Sequence, residues 1–197
     1  MKIGTVRLVV VLGAICLVAS LALAMVYEVT KAPIAYQMKL EVIRSLQAVL
    51  PGMEIDPDSQ YIDLPWKKDQ TVRVYRSTGA NGIEGVAFQV IAPDGYSGKI
   101  QIMMGVLPDG RLGGIEILSH AETPGLGARI VEPSFKNQFK GRSLKNTNFK
   151  VKKDGGDIDQ LTGATISPRA VVGAVRRGLV WFKKNREKVL SNTEGTS

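Results

Sequence analysis

The stretch GIEGVAFQVIAPDGYSGKIQIMMGVLPDGRLGGIEIL, residues 82–118, decides the architecture. It divides into three short β-rich runs, 82–92, 99–107 and 111–118, with Pro93-Asp94-Gly95 and Pro108-Asp109-Gly110 between them. Proline fixes φ and glycine permits φ > 0, the two properties that tight connections between antiparallel strands use. A fourth run, 71–75, precedes them, so the centre of the chain is predicted to be a β-meander.

Downstream, His120-Ala121-Glu122-Thr123-Pro124-Gly125-Leu126-Gly127 is too rich in Gly and Pro for regular structure. A short helix is predicted over 133–139, a further strand over 149–152 and a loop over 154–165. Ser167-Pro168 then reads as an N-cap followed by proline at the first helical position. The helix that begins there sets Val171, Val172, Val175, Leu179, Trp181, Phe182 and Val189 on a broad apolar face, with basic residues over the remainder. Upstream, residues 56–65 read as a loop. Ile34, Met38, Val42, Leu46 and Val49 recur at spacings of three and four, an amphipathic helix terminated by Pro51-Gly52.

Residues 8–27 carry no charge and match the roughly 20 apolar residues that a helix needs to cross a bilayer. Lys2 and Arg7 precede this run and Glu28 follows it, which predicts a single-pass inner-membrane protein with its N-terminus inside and the remainder exported. Ala22-Leu23-Ala24 offers a signal-peptide cleavage site, but the apolar run is longer than the roughly 7–15 residues usual in a signal peptide. The division expected is therefore a cytoplasmic N-terminus and anchor (1–27), a linking helix (28–55), a folded domain (56–190) and a flexible tail (191–197). Its class is α+β, a small antiparallel β-sheet packed with helices after one transmembrane helix.

Composition narrows the chemistry. The chain has 197 residues, 44% hydrophobic and 22% charged, with one Cys and one His. Those two residues cannot supply a zinc or iron–sulfur site, so any redox chemistry must come from an organic cofactor. Without Lys2 and Arg7 the net charge of +8 falls to +6, and export argues against nucleic acid as the partner. Nucleotide-binding loops of the GxxxxGK[ST] and GxGxxG kinds and a GxSxG nucleophile elbow are missing. His120 has no nucleophile or carboxylate assignable to it by spacing, so no catalytic residue is assigned.

The segment Asp159-Gln160-Leu161-Thr162-Gly163-Ala164-Thr165-Ile166-Ser167 is more specific. Two small residues, Gly163 and Ala164, lead to Thr165, whose hydroxyl lies just before a helix N-terminus. Free N–H groups and the positive end of the helix dipole suit a phosphate there. Taken alone, the same residues also read as a glycine turn with Thr165 and Ser167 as capping residues.

This segment resembles the D-x-x-[ST]-G-A-T-x-[ST] motif of the FMN-binding domain family, with Thr162 where serine is commoner. The resemblance implies that a flavin transferase esterifies FMN through its phosphate onto Thr165. Glu122-Thr123-Pro124-Gly125-Leu126-Gly127 resembles a loop shared, in that family, by the G subunit of the Rnf electron-transport complex and the C subunit of the sodium-translocating NADH:quinone reductase. Two motifs in this order, behind one membrane helix, carry the resemblance, and the compact length is more similar to the Rnf G subunits than to the longer quinone-reductase subunit. The implied function is an electron relay in an Rnf-type ferredoxin:NAD oxidoreductase coupled to Na+ or H+ movement. Its implied partners are the other membrane subunits, including a second flavin subunit, and the transferase during maturation. Glu122, Thr123, Leu126 and His120 are then expected near the flavin, with Thr162, Gly163, Ala164 and Ser167 shaping its phosphate end. Asp159 would orient the loop, and Arg129 and Arg169 are candidate phosphate partners. A quinone-reductase C subunit, a free-standing exported FMN carrier and a non-redox anchored scaffold are the alternatives.

Overall fold

The computed structural model describes residues 2–67, 70–79 and 82–191. The tail expected at 191–197 lies, from residue 192 on, outside the described residues. The chain forms two compact units, residues 1–41 and 42–197.

Helix α1, Lys2–Val49, runs through the first unit into the second and carries Pro33 within it. In the first unit its apolar side chains face outward, none of the most apolar stretch being buried, and the helix is long and apolar enough to cross a membrane. Ile34 and Met38, expected on the inner stripe of an amphipathic helix, are exposed as well. Among the predicted stripe residues, Leu46 and Val49 are buried and Val42 is half-buried; all three lie in the second unit.

The second unit is built on one sheet of five antiparallel strands in sequence order: β1 (Tyr61–Lys67), β2 (Gln70–Gly79), β3 (Gly82–Ala92), β4 (Ile100–Val106) and β5 (Leu112–Ser119). The predicted meander and α+β class are thus the observed ones. Strand β1 is a correction, because most of it falls in the stretch 56–65 that reads as a loop. Pro65 suggests loop, but β1 is an edge strand, where a residue without an N–H costs no ladder bond on the open side. Trp66 packs its ring 5.4 Å from Trp181, and Pro65 O accepts a hydrogen bond from Trp181 Nε1 at 3.0 Å. A second correction concerns 149–152: Val151 makes one isolated bridge to Ile158, and a 3₁₀ turn, Lys152–Asp154, follows. The predicted helix over 133–139 is a short helix α2, Pro133–Lys136, continued by a 3₁₀ turn, Asn137–Phe139.

Alternation along the strands gives the sheet two apolar faces. Val86, Phe88 and Val90 of β3, with Ile100, Ile102 and Met104 of β4, point to the core shared with helix α3, Ile166–Leu190. Gly178 lets α3 lie flat on this face: a Cβ there would approach Val90 Cγ1 at 3.0 Å and overlap Met104 Sδ. The opposite face carries Ala87 and Met103, covered by Leu46 and Val49 from the end of α1 and by Leu50 just after it. On this face backbone meets backbone. A Cβ on Gly105 or Gly113 would overlap Val49 O, and one on Gly85 would stand 2.7 Å from Met53 Sδ.

Gly105→Ala and Gly113→Ala are each expected to destabilise the chain by about 1–3 kcal/mol, the cost of overpacking against atoms that cannot move aside. Gly173→Ala, where the added methyl meets only the flexible end of Arg177 at 3.4 Å, should instead stabilise by up to about 1 kcal/mol through helix propensity. Thermal unfolding of the three variants side by side checks the contrast.

Candidate functional site

The two motif loops, about forty residues apart in sequence, meet at the N-terminus of α3. In the second loop, Ala164 N–H donates to Leu161 O at 3.1 Å, closing a turn in which Gly163 adopts φ 78°. That left-handed conformation is strained for any residue with a Cβ. Thr162 and Gly163 are exposed, and Ala164 and Thr165 half-buried. Thr165 occupies the N-cap of α3; its carbonyl accepts from Arg169 N–H at 3.1 Å, and its side chain makes no capping hydrogen bond.

The helix therefore begins two residues earlier than Ser167-Pro168 suggests. Ser167 is not the cap: it lies inside the first turn, 1% exposed, and its hydroxyl donates to Glu122 Oε2. Pro168 sits one residue further in, where a missing N–H is still harmless because first-turn amides have no intrahelical acceptor.

Glu122 is the centre of the arrangement. It is 4% exposed, and both carboxyl oxygens are used, Oε2 by Ser167 and Oε1 by the Ser97 N–H at 3.1 Å. Its own N–H donates to His120 Nδ1 at 3.1 Å, which fixes the proton of a neutral His120 ring on Nε2. Gly127 and Gly95 leave the room that this carboxyl group needs. A Cβ on either would come within 2.7 Å of a Glu122 oxygen. Thr123 O accepts the N–H groups of Leu126 (3.2 Å) and Ala128 (3.1 Å), a turn that leads into the 3₁₀ helix Gly127–Val131. Leu126 is 45% exposed and lies over Gly163, where a Cβ would stand 3.3 Å from its Cδ2.

The structure thus brings Glu122, Leu126, Gly163 and Ser167 into one cluster, with His120 and Thr123 on the same loop and Thr162, Ala164 and Thr165 on the other. The two arginines named as phosphate partners are engaged elsewhere. Arg129 Nε donates to Glu132 Oε1 at 3.0 Å and Arg169 Nε to Asp154 Oδ2 at 2.7 Å. Hydrogen bonds from these guanidinium groups hold the Glu132 and Asp154 carboxyls below their usual range. Asp159 pairs with Lys152 at 2.7 Å. Sequence reasoning misses the 95–98 loop, which reads only as a turn between strands; its Gly95-Tyr96-Ser97-Gly98, an aromatic residue framed by glycines, is the available signal.

Removing the carboxyl group leaves the Ser97 amide and the Ser167 hydroxyl without their buried partner. Glu122→Ala is expected to cost about 2–4 kcal/mol, and Glu122→Gln, which can still accept from Ser97 and bond Ser167, about half as much or less. Ser167→Ala should be non-additive with Glu122→Ala by about 1 kcal/mol or more, a coupling that denaturant unfolding of the single and double variants measures.

A family model described as FMN-binding domain matches residues 95–180, a span that contains the 95–98 loop, both motif loops and most of α3. The G subunit of the ion-translocating oxidoreductase complex from Cereibacter sphaeroides (strain ATCC 17029 / ATH 2.4.9) is 39% identical over 187 residues, covering 91% of this chain and 85% of that one. Its counterpart in Aliivibrio fischeri (strain ATCC 700601 / ES114) is also 39% identical, over 91% of this chain and 90% of its own. Among solved structures, NqrC of Shewanella oneidensis aligns with a TM-score of 0.49 at 21% identity, over 74% of this chain and 73% of that one. With an FMN-binding domain behind an apolar N-terminal helix, and 39% identity across nine-tenths of its length, the chain belongs to the family of G subunits of ion-translocating oxidoreductase complexes.

Proposed function

We propose that this chain is the single-pass, FMN-carrying relay subunit of an Rnf-type complex, with the flavin esterified through its phosphate to Thr165. The observation that carries this reading is the state of the Thr165 side chain. It stands at the N-cap of a 25-residue helix yet makes no capping hydrogen bond, so its hydroxyl is free to be an attachment point. The ester would join Thr165 Oγ1 to the flavin phosphorus; a dinucleotide flavin as donor balances the step, its bond from that phosphorus to the nucleotide breaking and the nucleoside monophosphate leaving with the hydroxyl proton.

The residues present fit such a group. First-turn amides and the positive end of the α3 dipole favour a phosphate beside Thr165, while Pro168 withholds one donor. Exposed Gly163 leaves the approach open, and Leu126 offers apolar surface beside it. Buried Glu122 contributes by holding the two loops together through Ser167 and Ser97. His120 and Thr123 line the same loop, and Thr162 and Ala164 the other. Bound flavin accepts and passes electrons singly or in pairs, and the protein supplies position and surroundings.

Electrons would pass between membrane-embedded redox centres and a second flavin subunit, in a complex joining ferredoxin and NAD chemistry to Na+ or H+ movement. Lys2 and Arg7 favour an N-terminus in the cytoplasm and a flavin domain on the extracytoplasmic side. Maturation requires a flavin transferase that recognises the exposed turn at Thr162-Gly163.

The test is expression of the full chain with the transferase, followed by in-gel flavin fluorescence after denaturation and intact mass. A fluorescent band with the added mass of FMN less water is expected. Thr165→Ala should abolish both signals while changing stability by about 0.5 kcal/mol or less, because no side-chain cap bond is lost. A dark wild-type chain beside a flavinylated control protein sinks the covalent reading and favours a non-redox scaffold. Covalent flavin surviving in Thr165→Ala moves the attachment to another residue.

A further inference from the structure

We propose that Tyr96 is the aromatic residue that stacks on the isoalloxazine ring; this rests on the reading that FMN is held at Thr165. Among the described residues of the second unit, Tyr96 alone of the aromatic side chains is largely exposed, at 68%. The other exposed aromatics, Tyr27 and Tyr36, belong to the first unit. A tyrosine ring left in water forgoes the burial that usually accounts for an aromatic residue, and a flat apolar partner restores it.

The position of Tyr96 is set by the residues around it. Ser97 N–H is held by Glu122 Oε1 at 3.1 Å, and the other oxygen of the same carboxyl group holds Ser167, two residues after Thr165. Gly95 is packed against that carboxyl group with no room for a side chain, and Gly98 takes φ 135°, turning the backbone back toward β4. Tyr96 therefore sits in a short loop fixed at both sides and joined, through one carboxyl group, to the start of α3. Leu126 and Ile166, 45% and 44% exposed, add apolar surface from the two segments so joined. Three side chains that water does not favour thus stand on the three segments meeting at Glu122. A planar, electron-poor aromatic ring tethered at Thr165 matches that surface.

Trp181 does not compete for this role. It lies sixteen residues along α3 from Thr165, roughly 24 Å at helical rise, and is packed between Trp66 and Phe88.

A phenol stacked on an oxidised flavin quenches its fluorescence by electron transfer, and a phenyl ring does not. The experiment is time-resolved flavin fluorescence of the full chain in detergent, matured by the transferase, as wild type, Tyr96→Phe and Tyr96→Trp. The wild type is expected to decay mainly in a short, quenched component, Tyr96→Trp to stay quenched, and Tyr96→Phe to lengthen the mean lifetime several-fold. In urea all three should converge. Tyr96→Phe changes one oxygen on an exposed ring, so folding and flavin loading stay as in the wild type, which intact mass and circular dichroism verify. A Tyr96→Phe decay identical to that of a flavinylated wild type overturns the assignment of Tyr96 and leaves attachment at Thr165 standing. A wild type without covalent flavin overturns both.

Discussion

A sheet with two apolar faces needs a helix on each, and here both helices lie so close that glycines, in the strands at one face and in the helix at the other, make room for the contact. On one face Val49 O rests over Gly105 and Gly113; on the other Gly178 of α3 rests against Met104 and Val90. Interiors are packed to crystal-like density, so such approaches have little slack. Everything functional hangs on the second of them. With the middle of α3 seated on β3 and β4 and Trp181 closed between Trp66 and Phe88, the N-terminus of α3 is carried to the loops that leave β3 and β5.

What happens at that N-terminus follows from one buried acid. A carboxyl group taken out of water is tolerated only when its oxygens are hydrogen-bonded, and Glu122 meets that condition by drawing on two distant parts of the chain, Ser97 and Ser167. The requirement for satisfied oxygens therefore becomes a requirement that three segments converge. Gly127 and Gly95 are the spatial counterpart, since side chains there would push the loops off the acid. Thr165 is left out of this network, and its hydroxyl caps nothing.

Much of this is legible in the residues. Alternating β-branched runs and two Pro-Asp-Gly turns identify the meander, because period and turn chemistry are local properties. The two motif loops are legible for the same reason, each being a compact string of unusual residues. What stays hidden is decided by partners remote in sequence. Pro65 resembles a loop residue until β1 is seen as an edge strand whose carbonyl bonds Trp181. Ser167 resembles a cap because serine usually bonds its own backbone, and nothing local reveals that Glu122 claims its hydroxyl. The run 149–152 has strand-like residues but finds a single bridge, to Ile158, instead of a sheet edge. Gly95 reads as a turn glycine chosen for positive φ, whereas its value lies in the side chain it lacks, and Gly98 is the residue that takes the positive φ.

The seating of residues 42–50 on one face of the sheet bears on how the domain can be handled apart from the long apolar helix. Leu46, Val49 and Leu50 cover Ala87, Met103 and the glycines of β4 and β5. A soluble fragment trimmed back to the first strand would uncover a strip of sheet that is nearly bare of side chains and flanked by apolar ones, a surface suited to recruiting a helix from any neighbour. A fragment cut just ahead of Val42 keeps its own cover. The safe border for truncation therefore falls inside a helix, in the middle of a continuous run of hydrogen bonds, and not at any loop.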